Sequence, residues 1–317
     1  EQASRPPDVV NDDTLNSLCK RYRQSQGYQR LSPATRKMYE RYIDQISEKF
    51  GDAPLRAFED RRIRSNILEW RDHIAQTTLR GADYAVSVLR SVLKFGNQIG
   101  EIGVNHAAGF DTLYKADRSD RIWLPEHVAR MMAVASFEIR MALLFALHTG
   151  QRQGDLLTLN WNTFDGQALT FRQRKGNRGA GRHVYIPCTN ALRLTLEQAP
   201  KRALTILTNS RGAPWTSDGF KTSWRKASIR AGIEGLTFHD LRGTAVTMLS
   251  EAGCTPQEVA AITGHSLNQV NGILDRYLSR TRPLAQAAIV KFENVLATKV
   301  TNKVTNGPGG PRSKATK

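Results

Sequence analysis

The sequence predicts a mainly α chain of two domains, the second carrying a small antiparallel sheet. Three observations predict it. Apolar residues recur at helical spacing from Asp13 to Leu113. The charged stretch YKADRSDRIWLP, Tyr114 to Pro125, breaks that periodicity and reads as a linker over 114–123. Two strand-like runs then flank a Gly-rich, basic turn in ALTFRQRKGNRGAGRHVYIP, Ala168 to Pro187.

Residues 1–12 are polar and expected to be flexible. The first domain, 13–113, reads as four helices with short joins: LNSLCKRYRQ, SPATRKMYERYIDQISEKFG, RIRSNILEWRDHIAQT and GADYAVSVLRSVLKFGNQIG. Ser32 caps the second of these and Pro33 sits in its first turn, where its missing N–H costs nothing. Basic residues on polar positions of this bundle include Arg36, Lys37 and Arg80. A charge run of that kind is usually a solvated face.

The second domain, 124–297, opens with LPEHVARMMAVA and the strongly apolar FEIRMALLFALHTG, with QRQGDLLTLNW following a sharp join. The two strands come next, and LTILTN, Leu204 to Asn209, also has strand character. Helices return in WTSDGFKTSWRKASIRAG, in the segment opened by TFHDLRG, and in TPQEVAAITG, NQVNGILDRYLSR and RPLAQAAIVKFENVLATK. Thr237 and Asp240 read as a capping box, so the TFHDLRG helix is expected to begin near Phe238 and stop at Gly253. Residues 298–317 hold five basic residues and no acid, and read as a disordered tail.

The 317 residues carry a net charge of +17, unevenly spread: residues 1–118 are net +3 and residues 119–317 net +14. A polyanion bound through the second part is the partner this implies. Cys19, Cys188 and Cys254 stand far apart with no CxxC, which signals neither a zinc cluster nor a disulfide framework and fits a reducing cytoplasm. No carboxylate cluster has metal-ligand spacing, which agrees with a chemistry that requires no metal and no cofactor. No apolar run approaches the roughly 20 residues of a membrane span. The chain opens on Glu1 rather than Met, as a fragment or processed product would.

The chemistry-bearing residues lie in the basic part. His239 and Arg242, three apart at a helix start, share a face and suit an anion such as phosphate. Arg152 stands beside glycines with Asp155 one turn on, where the carboxylate can hold the guanidinium or a nearby donor. Gly264 ends a helix and presents His265 from a tight turn, and Tyr277 lies on the next helix. Taken singly, each has a plain structural reading: the His239 and Arg242 pair as a solvated helix edge, Tyr277 as core filler one turn from Ile273 and Leu274.

Taken in order, R…K…HxxR…GH…Y resembles the tyrosine recombinase (phage integrase) family from Leu124 to about Leu296, and the preceding bundle is similar to that family's SAM-like core-binding domain. The resemblance implies catalytic roles for Arg152, Lys175, His239, Arg242, His265 and Tyr277, with Asp155 in support. It implies double-stranded DNA cut and rejoined through a 3′-phosphotyrosine, for integration or excision of a mobile element or prophage, in a bacterial or phage-derived, DNA-associated cytoplasmic protein. It also implies a homotetramer on two DNA sites, and leaves a need for DNA-bending or directionality factors open. Leu284, Ile289, Phe292 and Leu296 fall on one side of the last helix, which in this family docks on a neighbour; covering its own core is the alternative.

The residue types fit that reaction. A phenol with an unperturbed pKa near 10 gives an aryl phosphate that a 5′-hydroxyl can displace, so strands rejoin without ATP. Arg152, Arg242, His265 and His239 would stabilise charge on the non-bridging oxygens, each donor worth roughly 2.7–4 kcal/mol. Lys175, the sole lysine between Leu169 and Pro187, would protonate the departing 5′-oxygen, and Arg172, Arg174, Arg178 and Arg182 around it read as DNA backbone clamps. The interval from His265 to Tyr277 exceeds the commonest family pattern, which either loosens the nucleophile or lengthens its helix. Type IB topoisomerases use a similar set, and a non-catalytic DNA-binding regulator on the same fold is a third reading, although a binder has no need of a nucleophile.

Overall fold

The computed structural model describes residues 13–115, 121–174, 181–278, 286 and 289–296, with Tyr277 and Leu278 described for the backbone alone. The flexible N-terminus expected over 1–12 and the tail expected over 298–317 lie outside the described residues. The chain divides into two compact units, Glu1–Ala116 and Asp117–Lys317.

The first unit comprises α1 (Leu15–Gln24), α2 (Gln26–Gln29), α3 (Pro33–Phe50), α4 (Ile63–Ala75) and α5 (Leu79–Gln98). Thr14, Ser32 and Thr78 each accept a backbone N–H at the start of α1, α3 and α5, so three helix starts are fixed by side-chain caps. Thr78 starts α5 two residues ahead of the GADYAV run. Leu15, Leu18, Cys19 and Tyr22 recur at three- and four-residue steps and are buried, as are Ile43, Ile46, Ile67, Leu89 and Leu93. Each such aliphatic side chain contributes on the order of 1.5–3 kcal/mol by leaving water.

The second unit comprises α6 (Pro125–Val134), α7 (Phe137–Thr149), α8 (Gln153–Leu156), β1 (Ala168–Arg172), β2 (His183–Pro187), α9 (Asn190–Gln198), α10 (Ser217–Arg230), α11 (Asp240–Glu251), α12 (Pro256–Thr263) and α13 (Leu267–Leu278); residues 289–296 are also helical. β1 and β2 pair antiparallel, with Leu169 opposite Ile186 and Phe171 opposite Val184. These four are buried, while Thr170, Arg172, His183 and Tyr185 alternate onto the exposed face. The ladder continues past β1 through Gln173 N–H to Arg182 O at 2.9 Å. LTILTN forms no strand of the sheet. Its Thr205 and Thr208 make isolated bridges to Asn160 and Pro214, because its backbone bonds go to loop residues and not to β1 or β2: Ile206 N–H donates to Leu159 O at 2.8 Å and Leu204 O accepts the Trp161 N–H at 3.1 Å.

Two apolar groupings place the site. Trp123, Phe220, Trp224 and Phe238 pack largely edge to face, with Trp224 and Phe238 centroids 4.8 Å apart. Trp123, which the sequence assigns to the linker, is buried there; its backbone N–H donates to Thr244 Oγ1 at 2.9 Å and its Nε1–H to Thr237 O at 3.0 Å. The start of α11 is thereby fixed. Val246, Val259, Ala260, Val270 and Leu274 form a separate cluster that joins α11, α12 and α13. Among the described residues no helix is long and apolar enough to cross a membrane.

Candidate active site

The site is built where two helices end. α7 stops at Gly150 (φ 62°) and α12 at Gly264 (φ 70°), both in the left-handed region that closes a helix and that glycine adopts without strain. Such ends leave carbonyl oxygens without helical partners. Arg242, on the first turn of α11 and only 4% exposed, supplies them: Nη1 donates to Gly150 O and, at 2.7 Å, to Thr263 O. The negative ends of two helix dipoles thus face one guanidinium, which offsets part of its cost of burial. Burial, and secondarily the charge of Arg152, lower the pKa of Arg242 to about 9, with Asp155 opposing, so the group stays protonated at neutral pH. Its Nη2 is buried and makes no hydrogen bond among the described residues.

His265 follows Gly264 directly. Its Nδ1 lies 2.9 Å from Thr263 Oγ1, and that hydroxyl donates to Val259 O at 2.7 Å. With the hydroxyl proton already committed, Nδ1 is the donor, and in the neutral ring Nε2 is left as an acceptor. Burial is the first cause, followed by Arg242, Arg152 and His239, that lowers the His265 pKa to about 3. The backbone of this turn is also held from the hairpin, by Arg182 Nη1 donating to His265 O at 2.8 Å.

Arg152 caps α8, where its Nη1 is 3.9 Å from Asp155 Oδ2. The other Asp155 oxygen accepts the backbone N–H of Arg174 at 2.8 Å. The carboxylate thus engages the Arg174 N–H directly, while Oδ2 faces the Arg152 guanidinium only at this longer distance and makes no hydrogen bond among the described residues. The Asp240 carboxylate reaches back to Thr237 as half of the expected capping box, accepting its N–H at 2.7 Å and its hydroxyl at 2.8 Å. The first turn is tight, with the Asp240 and Leu241 N–H groups donating three residues back to Thr237 O and Phe238 O at 3.2 and 3.3 Å, so α11 itself begins at Asp240 rather than near Phe238. His239 stands exposed at the N-cap.

A cleft of ≈ 250 Å³ is bordered by His239, Arg242 and His265, and also by Arg121, Ile273 and Arg276. Arg152 does not border it, although its charge reaches both Arg242 and His265. Tyr277 lies in the last turn of α13, which Ser266 opens by accepting the Gln269 N–H at 3.3 Å. The interval after His265 is thus taken up as helix; the Tyr277 side chain lies outside the described residues, as do Lys175 and Arg178. Arg172 donates Nε to Gly181 O at 3.0 Å, and Arg174 and Arg182 are exposed. In the first unit, Arg36 donates to Gln29 Oε1 at 3.4 Å, Lys37 is exposed, and Arg80 lies 5.6 Å from the ring centroids of Tyr84 and Tyr114.

Sequence reasoning missed Gln151 and Gln173, both 1% exposed. Gln151 Nε2 donates to Thr149 O at 3.0 Å and to Ile262 O at 2.9 Å. Gln173 Nε2 donates to Gln151 Oε1 at 2.6 Å and to Thr263 O at 3.0 Å. A signal for Gln173 exists: it continues the inward register of Leu169 and Phe171, where a polar residue is out of pattern. Arg121, which donates to Gly235 O at 2.7 Å, was absorbed in the linker. Arg276 carries no mark beyond its place next to Tyr277.

A mainly helical unit with a two-stranded sheet, carrying arginines and histidines in this order and a tyrosine on the helix that follows, is that of the tyrosine-type site-specific DNA recombinases. Residues 124–278 match the phage integrase family, and this part of the chain belongs to it. It is 35% identical over 127 residues to the shufflon-specific DNA recombinase of Escherichia coli, a match covering 39% of this chain and 31% of that one. It is 25% identical over 250 residues to the integrase of Escherichia phage HK022, covering 74% of this chain and 68% of the relative. A lambda integrase dimer bound to a COC′ core site shares the fold, with a TM-score of 0.70 and 22% identity over 87% of this chain and 83% of that one. The chain therefore spans less than a third of the length of the first relative and about two thirds of the second.

Proposed function

We propose that the chain cuts and rejoins double-stranded DNA at a specific site through Tyr277, which becomes linked to a 3′-phosphate and leaves a free 5′-hydroxyl. The observation that carries this reading is Arg242, a buried cation oriented by Gly150 O and Thr263 O at the edge of a cleft it shares with His239 and His265. Guanidinium groups fixed before substrate arrives need no reorganisation when charge develops on phosphorus. Arg152 and Arg242 bind the non-bridging oxygens. His265 joins them as a donor once it takes up a proton, which an anionic phosphate favours. Lys175 protonates the departing 5′-oxygen, and Asp155 faces the Arg152 guanidinium while holding the Arg174 backbone N–H in register. Arg172, Arg174, Arg178 and Arg182 contact the DNA backbone near the cut, and Arg36, Lys37 and Arg80 do so from residues 13–113, the core-binding domain.

Each adduct consumes one tyrosine, and exchange between two duplexes cuts four strands, so four protomers act together. The protein works in the cytoplasm, on DNA, to integrate or excise a mobile element. A nicked suicide substrate, in which the released 5′ fragment diffuses away, tests the central step. The parent protein should accumulate a covalent adduct, whereas Tyr277→Phe should accumulate none and still bind DNA, since backbone contacts dominate affinity. Equal trapping by the two proteins would remove Tyr277 from the role.

A further inference from the structure

Gln151 and Gln173 have no part in the chemistry described above, yet they lie at the junction of its pieces. Each is buried, and all four of their amide N–H groups are engaged: on Thr149 O, Ile262 O, Gln151 Oε1 and Thr263 O. Three segments distant in sequence are joined by this bridge. One runs into Arg152, one continues β1, and one runs into His265. The Thr263 carbonyl accepts from Gln173 at 3.0 Å and from Arg242 at 2.7 Å, so amide and guanidinium are anchored on one oxygen. The backbone is shaped to admit the pair, for a Cβ on Gly264 would come within 2.3 Å of Gln173 Nε2.

Fold stability does not require this arrangement. Burying two amides is costly unless every donor is satisfied, and replacing hydrogen-bonded partners by apolar groups of similar shape is often close to neutral. A leucine or methionine pair would fill the space. What apolar side chains cannot supply is direction: hydrogen bonds fix the separation and rotation of the two helix ends, where packing alone leaves them free to slide.

We propose that the Gln151–Gln173 bridge is a positioning device that sets the turn bearing Arg152 against the turn bearing His265, and so aligns the cationic clamp on the scissile phosphate. The proposal rests on the phosphate-clamp reading of Arg152, Arg242 and His265 given above. Neither glutamine is a catalytic residue; both act through the groups they hold.

The test uses a substrate in which the scissile phosphate is replaced by a methylphosphonate. With one non-bridging oxygen replaced by methyl, the scissile group is neutral and its transition state carries one negative charge fewer, so the clamp matters less. Gln173→Met, close in volume, should slow adduct formation on the ordinary phosphodiester by about 100-fold, the scale of a misplacement of about 1 Å. On the methylphosphonate it should come within a few-fold of the parent. Its DNA affinity should stay near the parent's, and its thermal midpoint should fall only by the loss of the one hydrogen bond to the buried Gln151 Oε1, a loss that Gln151→Met/Gln173→Met should recover without recovering the rate. Should Gln173→Met fail to fold, Gln151→Met/Gln173→Met, which leaves no amide unpaired in the bridge, takes its place. Arg152→Ala is the control. If Arg152→Ala gains no advantage on the methylphosphonate, the clamp reading itself is wrong. If Arg152→Ala gains it and the glutamine variant does not, whether by equal impairment on both substrates or by full activity on both, the clamp stands and the bridge is packing alone.

Discussion

His265 Nδ1 lies 2.9 Å from Thr263 Oγ1, and the Thr263 hydroxyl donates its own hydrogen bond to Val259 O. The neutral imidazole is thus held in one tautomer, and burial, with the surrounding positive charge second, keeps it neutral. A consequence for stability follows from linkage. The unfolded chain protonates this histidine below its ordinary pKa of 6.5, while burial and the neighbouring Arg242 and Arg152 keep the folded form neutral to about 3. Between those values the unfolded state binds more protons, so acid favours it and stability falls as pH drops. Thermal midpoints of the DNA-free protein should decline from pH 6.5 toward pH 3, and His265→Gln should decline less steeply. Parallel slopes for the two proteins would show that the acid sensitivity lies elsewhere.

A second prediction concerns the anchoring of Arg242. Arg242→Ala removes a donor from the non-bridging oxygens and should slow strand cleavage by roughly 100- to 1,000-fold. It also strips Gly150 O of its guanidinium partner, a buried carbonyl whose desolvation costs about 1–3 kcal/mol. Urea denaturation should register that loss separately from the kinetic one. Arg242→Lys keeps a charge but not the planar fork that spans two carbonyls and a phosphate, so it should rescue little of the rate. Single-turnover cleavage by the lysine variant within a few-fold of the parent would mean that charge alone suffices.

The contrast between glutamine and arginine explains what the sequence could and could not disclose. Arg152, His239, Arg242, His265 and Tyr277 stand out by type and spacing, and the helices that carry them by period. α9 does not, because Leu192, Leu194 and Leu196 alternate as they would in a strand; only in the fold is Leu194 exposed while Leu192 and Leu196 are buried. α2 is too short, at 4 residues, to establish a period. Gln151 and Gln173 are uncharged and lie 22 residues apart, so nothing local says that they meet. That α7 and α12 aim their C-terminal ends at one guanidinium is a property of packing, which no single stretch of chain encodes.

The third prediction addresses assembly. Ile289, Phe292 and Leu296 are exposed, at 56%, 60% and 45%, which weighs against the alternative that their helix covers its own core; Leu284, grouped with them by the sequence, lies outside the described residues. Deleting residues 282–298 should leave single-site DNA binding and the thermal midpoint unchanged and reduce pairing of two sites, as expected if this apolar area is buried between protomers. Native gels with one-site and two-site DNA separate these effects. A lowered thermal midpoint with intact synapsis would return the helix to its own subunit.

The fourth prediction separates two roles for Lys175. A basic hairpin can act as a clamp or as an acid, and loss of activity in Lys175→Ala fits both. Leaving-group chemistry distinguishes them. When sulfur replaces the bridging 5′-oxygen, the strand departs as a thiolate, which needs little protonation, so a missing general acid should hardly matter. Lys175→Ala should then approach the parent's rate on the thiolate substrate while remaining slower by about 100- to 10,000-fold on the ordinary one, the usual span of general acid catalysis. Arg242→Ala should gain no such advantage, because its work is on the non-bridging oxygens. Equal impairment of Lys175→Ala on both substrates would make the lysine a clamp and assign the proton to another group, His239 or water.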